Sequence, residues 1–496
     1  FKHIDSLAVF LKNNGLKKGD VFTVFLPTTV HSIVAFYALN KIGVISNIVH
    51  PLTPPNVLIE QINKIGSKGV FVLDILALDY IQPLKTNKSM IILCSNSDFA
   101  GKIKSPFFKL YENVRILNKF NKAGLIKFKD TMNYNIELNE RQSGDDISVY
   151  LHGGGTTGES KIIKLSNSAL NSLSVMLEKL DEKHSPGKEC SLMVLPLFHA
   201  FGLGVSMHFS LCNGFCCIPV PKFKPASINR LIKRYCVTFI VGVPNMYRKI
   251  MEQSNFAGSH LKKLRLLFCG GDFLSEQFLN YFNRTLNDYG CKSRLMRGYG
   301  LTETSSVCCT NTKEHCRENS IGKTLDGVVM QIWDEFGNEL DNEEIGEFVV
   351  SAPTLMSGYF SCEHPGIYVD KSGTEWIKTG DLGYCDKDGY YYFSGRKKRM
   401  IIISGFNVYP IDIESKVQTL PFIKEVCAIE GKENKKTIIK LFISVEKTSF
   451  SSKKITEKVF AFCEKSLPRY SCPKQVTILK DLPKTQMGKI DYSKLV

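Results

Sequence analysis

The sequence lacks several features that would assign it to a specialised class of protein. None of its 16 cysteines belongs to a CxxC motif. Several lie in apolar contexts such as LFCG and GFCCIPV, which indicates reduced, buried thiols rather than a disulfide framework. No uninterrupted apolar run approaches the length of a membrane-spanning helix, and no signal peptide is visible at the start. We therefore expect a cytoplasmic protein without a transmembrane segment.

The chain also lacks a basic block interleaved with aromatic residues, so we expect no nucleic-acid partner. Its formal net charge is nevertheless +16, from 64 Lys and Arg against 48 Asp and Glu. Two interpretations stay open: a solvated lysine-rich surface, or attraction of polyanionic small molecules such as ATP or coenzyme A. Cys308, Cys309, His315 and Cys316 lie near one another in the sequence, but their spacing does not fit a standard zinc site.

Short apolar strands alternate with helical stretches in the first half of the chain. DVFTVFLP, VISNIVHP and GVFVLD are typical of strands, and TVHSIVAFYALNKIG and PNVLIEQINKIG of helices. This alternation predicts an α/β fold, with a large N-terminal domain (1–395) of parallel sheets covered by helices. Gly and Asp turns between short strands predict a β-rich subdomain at about 321–395. The mixed pattern of residues 396–496 predicts a small, mobile C-terminal α+β domain.

A glycine-rich loop, HGGGTTGESK, follows the predicted strand ISVYL. A Walker P-loop requires Gly-Lys-Ser/Thr at the start of a helix. Here the lysine comes three residues after the last glycine, and the following KIIKLSN is typical of a strand. Two interpretations stay open. The loop is either a flexible hairpin or a phosphate site formed by backbone N–H groups with Thr156, Thr157 and Lys161.

Three further motifs combine glycines with polar or aromatic side chains. GYGLTET carries Tyr299, Thr302 and Glu303: a ring that can stack on a base, a hydroxyl that can bond a phosphate, and a carboxylate that can bind Mg²⁺. KTGDLG places Asp381 between glycines, which suits a ribose diol. PKTQMGKIDYSKL presents Lys489 directly after a glycine near the end of the chain.

Together these motifs resemble those of the adenylate-forming superfamily, which includes acyl-CoA synthetases, firefly luciferase and the adenylation domains of peptide synthetases. GGGTTGESK is similar to the family's phosphate loop, LPLFHAFGL to its acyl-pocket segment, and CGGDFLS to the loop beside adenine. RGYGLTET, KTGDLG, GRKKRMIIISGFNVYP and PKTQMGKI follow in the family's order. The resemblance covers nearly the whole chain, and seven motifs in order make it specific.

The resemblance implies a two-step reaction with ATP, Mg²⁺ and coenzyme A as cofactors. A carboxylic acid attacks the α-phosphate of ATP, giving acyl-AMP and pyrophosphate, and a thiol then displaces AMP. The implied thiol is that of coenzyme A. Two alternatives stay open: the phosphopantetheine of a carrier protein as the acceptor, and a weakened acyl-binding or sensing protein. LPLFHAFG lacks the aspartate that amino-acid-activating relatives carry, so the implied substrate is a fatty or aryl carboxylic acid.

The resemblance also implies roles for individual residues. Lys489 is the implied catalyst of adenylation, and His199 the implied acyl-pocket residue. Glu303 is the implied Mg²⁺ ligand, Lys398 the hinge at which the small domain rotates, and Gly405 a backbone contact to coenzyme A. The implied ATP or AMP contacts are Thr156, Thr157, Lys161, Gly271, Asp272, Tyr299, Gly300, Thr302, Asp381 and Arg396.

Four positions depart from the family's usual residues. Gly154 stands where a serine is usual, and Ser160 where a proline is usual. Arg399 replaces a common acid, and Ile402 stands where some CoA ligases and luciferases have a lysine. Gly154, Ser160 and Ile402 are the departures that keep the sensing alternative open.

Overall fold

The structure is a computed structural model that describes most of the chain. The described residues are 1–86, 89–99, 125–134, 136–153, 161–180, 186–362, 366–403, 406–433, 436–446, 448–484 and 490–495. Four predicted site residues lie outside them: Thr156, Thr157, Gly405 and Lys489.

The first sheet has seven strands in the order β5-β4-β3-β1-β2-β6-β7. All neighbours are parallel except β6 and β7, which form an antiparallel hairpin. Apart from β5 at the edge, its parallel strands are almost wholly buried, as expected for a sheet covered on both faces. The strands are β1 (Val21–Phe25), β2 (Ile45–Ile48), β3 (Gly69–Leu73), β4 (Met90–Cys94), β5 (Leu125–Lys127), β6 (Ile147–His152) and β7 (Ile162–Ser166).

The second sheet also has seven strands, in the order β14-β13-β12-β11-β10-β8-β9. It is parallel from β9 to β12 and antiparallel from β12 to β14. Its strands are β8 (Cys190–Met193), β9 (Cys216–Pro219), β10 (Phe239–Gly242), β11 (Leu266–Cys269), β12 (Leu295–Leu301), β13 (Ser306–Thr310) and β14 (Lys323–Thr324).

Helices cover these sheets. Helix α2 (Val30–Lys41) is capped by Thr29, whose hydroxyl accepts from the backbone N–H of Ser32 while the Ser32 hydroxyl accepts from the N–H of Thr29. This capping box satisfies two N–H groups that a helix start leaves unpaired. The helices are α1 (Lys2–Asn13), α2 (Val30–Lys41), α3 (Pro55–Lys64), α4 (Asp74–Thr86), α5 (Asn167–Glu178), a π-helix (Phe201–Phe209) continued by a helical turn (Ser210–Cys212), α6 (Pro225–Tyr235), α7 (Pro244–Met251) and α8 (Glu276–Asp288).

A third, antiparallel sheet follows the second one. It comprises β15 (Val329–Trp333), β16 (Gly346–Ser351), β17 (Tyr368–Val369), β18 (Glu375–Cys385) and β19 (Tyr391–Arg396).

The last hundred residues contain a hairpin, two helices and a three-stranded sheet. The sheet pairs β22 with β23 antiparallel and β23 with β24 parallel, and a core that includes Ile413, Leu441 and Val459 lies against it. The elements are β20 (Ile401–Ile403), β21 (Phe406–Val408), α9 (Pro410–Val417), β22 (Ile423–Glu433), β23 (Lys436–Val445), α10 (Ser452–Ser466) and β24 (Gln475–Leu479).

Short 3₁₀ turns occur between these elements. They are Phe128–Met132, Ser259–Lys263, Thr302–Thr304, Lys397–Arg399, Arg469–Ser471 and Tyr492–Lys494.

The predicted fold class is confirmed: parallel sheets with helices, then a β-rich region, then an α+β segment. The domain limits at residues 395 and 396 stay a prediction. The expected burial of the cysteines holds for eight of the sixteen, but it is wrong for Cys212, Cys216, Cys236 and Cys362, which are exposed. Among the described residues, no helix combines the length and the apolar character that a bilayer span requires.

Candidate active site

Asp381 lies at the centre of the candidate nucleoside site. Antiparallel pairing of β18 and β19 places Asp381 opposite Arg396. The Arg396 Nε atom is 2.9 Å from Asp381 Oδ1, and the Tyr299 hydroxyl donates to Oδ2 over 2.8 Å. The Asp381 side chain is 2 % exposed, whereas that of Arg396 is 59 % exposed. Each carboxylate oxygen can accept more than one hydrogen bond. The Asp381 carboxylate can therefore accept from the hydroxyls of a diol while it also accepts from Arg396.

Tyr299 fixes this carboxylate from the protein interior. Its ring packs edge-on against Phe348, with centroids 5.6 Å apart, and lies 6.3 Å from the ring of Phe393. Burial, and then the charge of Asp381, raise the pKa of Tyr299 well above its usual value. The phenol therefore stays protonated at neutral pH and remains a hydrogen-bond donor. Its predicted place beside adenine stays a prediction.

Gly300 allows the chain to turn at the end of β12. The pairing of β12 with β13 shifts register between Tyr299 and Gly300, and a Cβ atom at Gly300 would lie 1.5 Å from the carbonyl oxygen of Ser306. Only glycine permits this close approach of two backbones. The strand then passes into the 3₁₀ turn that carries Thr302 and Glu303.

Tyr359 contacts both Lys161 and Glu303. The hairpin of β6 and β7 is closed by the Gly153 N–H, which donates to the Lys161 carbonyl over 2.8 Å. The exposed Lys161 ammonium lies 4.3 Å from the centre of the Tyr359 ring. The Tyr359 hydroxyl donates to Glu303 Oε1 over 3.0 Å. The structure thus joins the predicted phosphate lysine to the predicted metal ligand through a residue that the sequence did not single out.

Glu303 fits the predicted Mg²⁺ as a single carboxylate ligand. Within the described ranges, no group of three His, Cys, Asp or Glu side chains converges on one point. Mg²⁺ is usually bound by one or two carboxylates together with substrate phosphates and water. One partly buried carboxylate that Tyr359 connects to Lys161 is therefore suited to an ion that arrives with a nucleotide.

Gly271 and Asp272 follow β11 at the carboxyl end of the second sheet. A Cβ atom at the preceding Gly270 would lie 3.0 Å from the Gly298 carbonyl oxygen, so the two chains run close together. Gly271 has φ +80°, a left-handed conformation that favours glycine. Asp272 is exposed, and its carboxylate accepts from the N–H of Phe273. Ligands of open α/β sheets bind at this end of the strands.

His199 lies between β8 and the π-helix. Its ring centroid is 4.6 Å from that of Phe198, which in turn lies 4.4 Å from the ring of His50. The His199 carbonyl accepts from the Leu203 N–H over 2.8 Å, at the start of the π-helix. Local π-helical geometry is frequent at functional sites. This placement is compatible with the predicted pocket role, which stays a prediction.

Lys398 is exposed in the 3₁₀ turn between the third sheet and β20. On one side of it, Lys397 Nζ lies 2.9 Å from Glu347 Oε2 in β16. On the other side, the Arg399 guanidinium lies 2.6 Å from Glu414 Oε1 in α9. The predicted hinge residue Lys398 therefore lies between Lys397, which contacts the third sheet, and Arg399, which contacts the C-terminal segment.

Comparison with known proteins gives concordant matches over the whole chain. The model of a family described as "AMP-binding enzyme" matches residues 1–360, and that of "AMP-binding enzyme C-terminal domain" matches residues 412–489. A long-chain-fatty-acid–CoA ligase of Bacillus subtilis (strain 168) is 28% identical over 494 residues, which cover 98% of this chain and 86% of the relative. "Probable 4-coumarate–CoA ligase 3" of Dictyostelium discoideum is 27% identical over 435 residues, or 86% of this chain and 76% of the relative.

Two solved structures illustrate the similarity of fold. ATP-bound MatB from Rhodopseudomonas palustris superposes with a TM-score of 0.80 at 23% identity, covering 100% of this chain and 91% of that one. The anthranilate CoA ligase AuaEII in complex with anthranoyl-AMP gives a TM-score of 0.82 at 21% identity, covering 100% and 90%.

Proposed function

The chain belongs to the family of AMP-binding enzymes, and from this premise we propose that it activates a carboxylic acid with ATP and passes the acyl group to coenzyme A. The family predicted from the motif order is confirmed. The relatives described above are named CoA ligases. Their names support coenzyme A as the acceptor and do not favour a carrier protein or a sensing role.

One observation supports the proposal: three contacts and one short chain segment connect the residues predicted to bind the two ends of a nucleotide. Asp381 accepts from Tyr299, the same segment continues to Glu303 four residues later, and Glu303 is linked through Tyr359 to Lys161. At one end lies the carboxylate predicted to bind ribose, and at the other lie a cation and a carboxylate that both contact Tyr359. Such an order of groups suits a nucleoside triphosphate with its metal ion.

The residues would act by positioning and by neutralising charge. A carboxylate and a triphosphate repel each other, so cationic groups that approach both lower the barrier to their reaction. Lys161 would bind the terminal phosphates, Thr302 the α-phosphate, and Lys489 the attacking carboxylate with the bridging oxygen. Mg²⁺, when bound at Glu303, would neutralise part of the phosphate charge.

The proposed acid is fatty or aryl. The segment Leu195–Leu203, which carries His199, has no acidic residue to meet a substrate ammonium. Leu195 of this segment belongs to an apolar cluster against which Phe201 and Val243 also pack. A pocket with apolar walls and few polar groups suits a hydrophobic acyl or aryl chain.

Trapping of the acyl adenylate with hydroxylamine tests the first step. The purified chain is incubated with ATP, Mg²⁺ and a panel of fatty, aryl and amino acids, and the hydroxamates are quantified. Lys489→Ala should lower their formation at least about 100-fold, the usual effect of removing one group that stabilises a developing charge. Lys494→Ala is the matched control, because Lys494 is 65% exposed and lies 3.4 Å from Asp491. It should stay within about two-fold of the wild type.

An unchanged rate for Lys489→Ala would contradict the mechanism. Absence of hydroxamate with every acid would instead favour the sensing alternative. The acceptor is identified by adding either coenzyme A or a holo carrier protein and measuring the thioester by mass. Thioester formed only on the carrier would overturn the choice of coenzyme A.

A further inference from the structure

Residues 356–360, here called the bridging segment, join two parts of the candidate site through the backbone. The Met356 N–H donates to the Glu303 carbonyl over 2.8 Å. The Phe360 N–H donates to the Ile162 carbonyl over 2.8 Å, and the Lys164 N–H to the Gly358 carbonyl over 3.0 Å. The segment therefore pairs with β7, the strand that follows the phosphate loop, and also contacts the turn that carries Glu303.

Tyr359 occupies the middle of the bridging segment and faces both charged side chains. Its backbone pairs with Ile163. Its ring fits closely against Gly366, where an added Cβ atom would lie 2.4 Å from Tyr359 Cε2. Backbone pairing and this close contact hold the ring in one place. From that place its hydroxyl reaches Glu303, and its face lies under the Lys161 ammonium.

The two contacts have different physical origins. The contact with Glu303 is a hydrogen bond, which the Tyr359 hydroxyl donates to Oε1 over 3.0 Å. Among the described residues, the Glu303 carboxylate makes no other hydrogen bond or ion pair. The contact with Lys161 depends instead on the negative face of the ring, which attracts a cation whether or not a hydroxyl is present.

We propose that Tyr359 is a positioning residue that sets Glu303 for the metal ion and Lys161 for the phosphates before the nucleotide arrives. Its hydroxyl holds one carboxylate oxygen and leaves the other to the ion. Its ring keeps the Lys161 ammonium in place next to the start of β7. The inference rests on the proposed function, because it assumes that a metal–nucleotide complex binds here.

The two contacts are separated by two substitutions and by a binding measurement without turnover. Mn²⁺ serves as the probe, and its free concentration is followed by electron paramagnetic resonance with enzyme and ATP present and no acid added. Tyr359→Phe keeps the ring and removes the hydroxyl. It should weaken Mn²⁺ binding to the enzyme–ATP complex about ten-fold, as expected for the loss of a hydrogen bond to a charged group. Its affinity for metal-free ATP should stay within about two-fold. Tyr359→Leu should weaken both.

Tyr392→Phe is the matched control, since its hydroxyl also donates to a carboxylate, Asp386 Oδ2, over 3.0 Å. It should bind Mn²⁺ with ATP as the wild type does. Thermal denaturation identifies any loss of folding in each variant. Unchanged Mn²⁺ affinity in Tyr359→Phe overturns the inference, even if that variant melts at a lower temperature.

The outcomes also distinguish this inference from the proposed function. A wild type that forms no hydroxamate, with Mn²⁺ binding still weakened in Tyr359→Phe, refutes the reaction and supports the positioning role. Hydroxamate formed by the wild type, with equal Mn²⁺ binding in both proteins, refutes the positioning role alone.

Discussion

Replacing Asp381 by asparagine tests the predicted ribose contact without changing the size of the side chain. The carboxylate is 2 % exposed and is held by Tyr299 at 2.8 Å and Arg396 at 2.9 Å. A hydrogen bond to a charged group contributes about 1.5–3 kcal/mol. Both oxygens of the Asp381 carboxylate already have partners, and the ribose hydroxyls must share them. We therefore expect the free energy of ATP binding to weaken by an amount near the lower end of this range. About 1.5–2 kcal/mol corresponds to a ten- to thirty-fold weaker affinity.

Deoxynucleotides show whether that loss belongs to the ribose. Equilibrium binding of ATP, 2′-deoxy-ATP and 3′-deoxy-ATP is measured for the wild type and for Asp381→Asn. The wild type should prefer ATP to each analogue by about ten-fold, and the variant by less than about two-fold. Asp386→Asn is the control, because Asp386 also accepts from a tyrosine, Tyr392, and pairs with Arg317. A full preference for ATP retained in Asp381→Asn would refute the assignment.

Two further predictions concern stability. Burial lowers the pKa of His152 from 6.5 to about 4. The stability that depends on a neutral His152 ring is therefore complete above its unfolded pKa of 6.5, and it is lost as the pH falls from 6.5 towards 4. Between pH 7 and 5 the free energy of unfolding should drop by at most about 2 kcal/mol from this residue. Chemical denaturation of His152→Gln should show a shallower pH slope, and an identical slope would contradict it. Gly300→Ala places a Cβ atom 1.5 Å from a backbone oxygen, whereas in Gly298→Ala the closest contact is 3.3 Å. Thermal denaturation should show a loss of about 3 kcal/mol or more for Gly300→Ala and a smaller one for Gly298→Ala, and equal losses would contradict the reasoning.

Local sequence signals were sufficient for much of the fold. The strands β1 and β3 are short, mostly apolar runs, and α2 begins at a Thr–Ser capping box. Each of these signals involves residues that are adjacent or within one helical turn. The change to short strands with Gly and Asp turns likewise marked the antiparallel third sheet. The glycines of GYGLTET indicated close backbone approach, and the structure contains it at Gly300.

The long-range contacts of the site had no such signal. Tyr359 lies 56 residues from Glu303, and its segment SGYF carries no charge that would single it out. The opposition of Asp381 and Arg396 depends on the register of β18 and β19, which shifts between Leu382 and Gly383. The alternation of apolar and polar residues along a strand does not reveal where its register shifts. The apolar neighbours of Cys216 led to the wrong prediction that it is buried. These residues form β9, the edge strand of the second sheet, where Cys216 is exposed.

The pairing of β18 with β19 has a consequence for the order of events along the reaction. The Asp381–Arg396 pair closes that ladder, and the predicted hinge, Lys398, comes only two residues later. Both side chains predicted to bind ribose therefore precede the predicted hinge, whereas Lys489 follows it. If rotation occurs at Lys398, the adenylate stays with the larger part of the protein while the lysine departs. One bound intermediate can then serve two successive chemistries without being released.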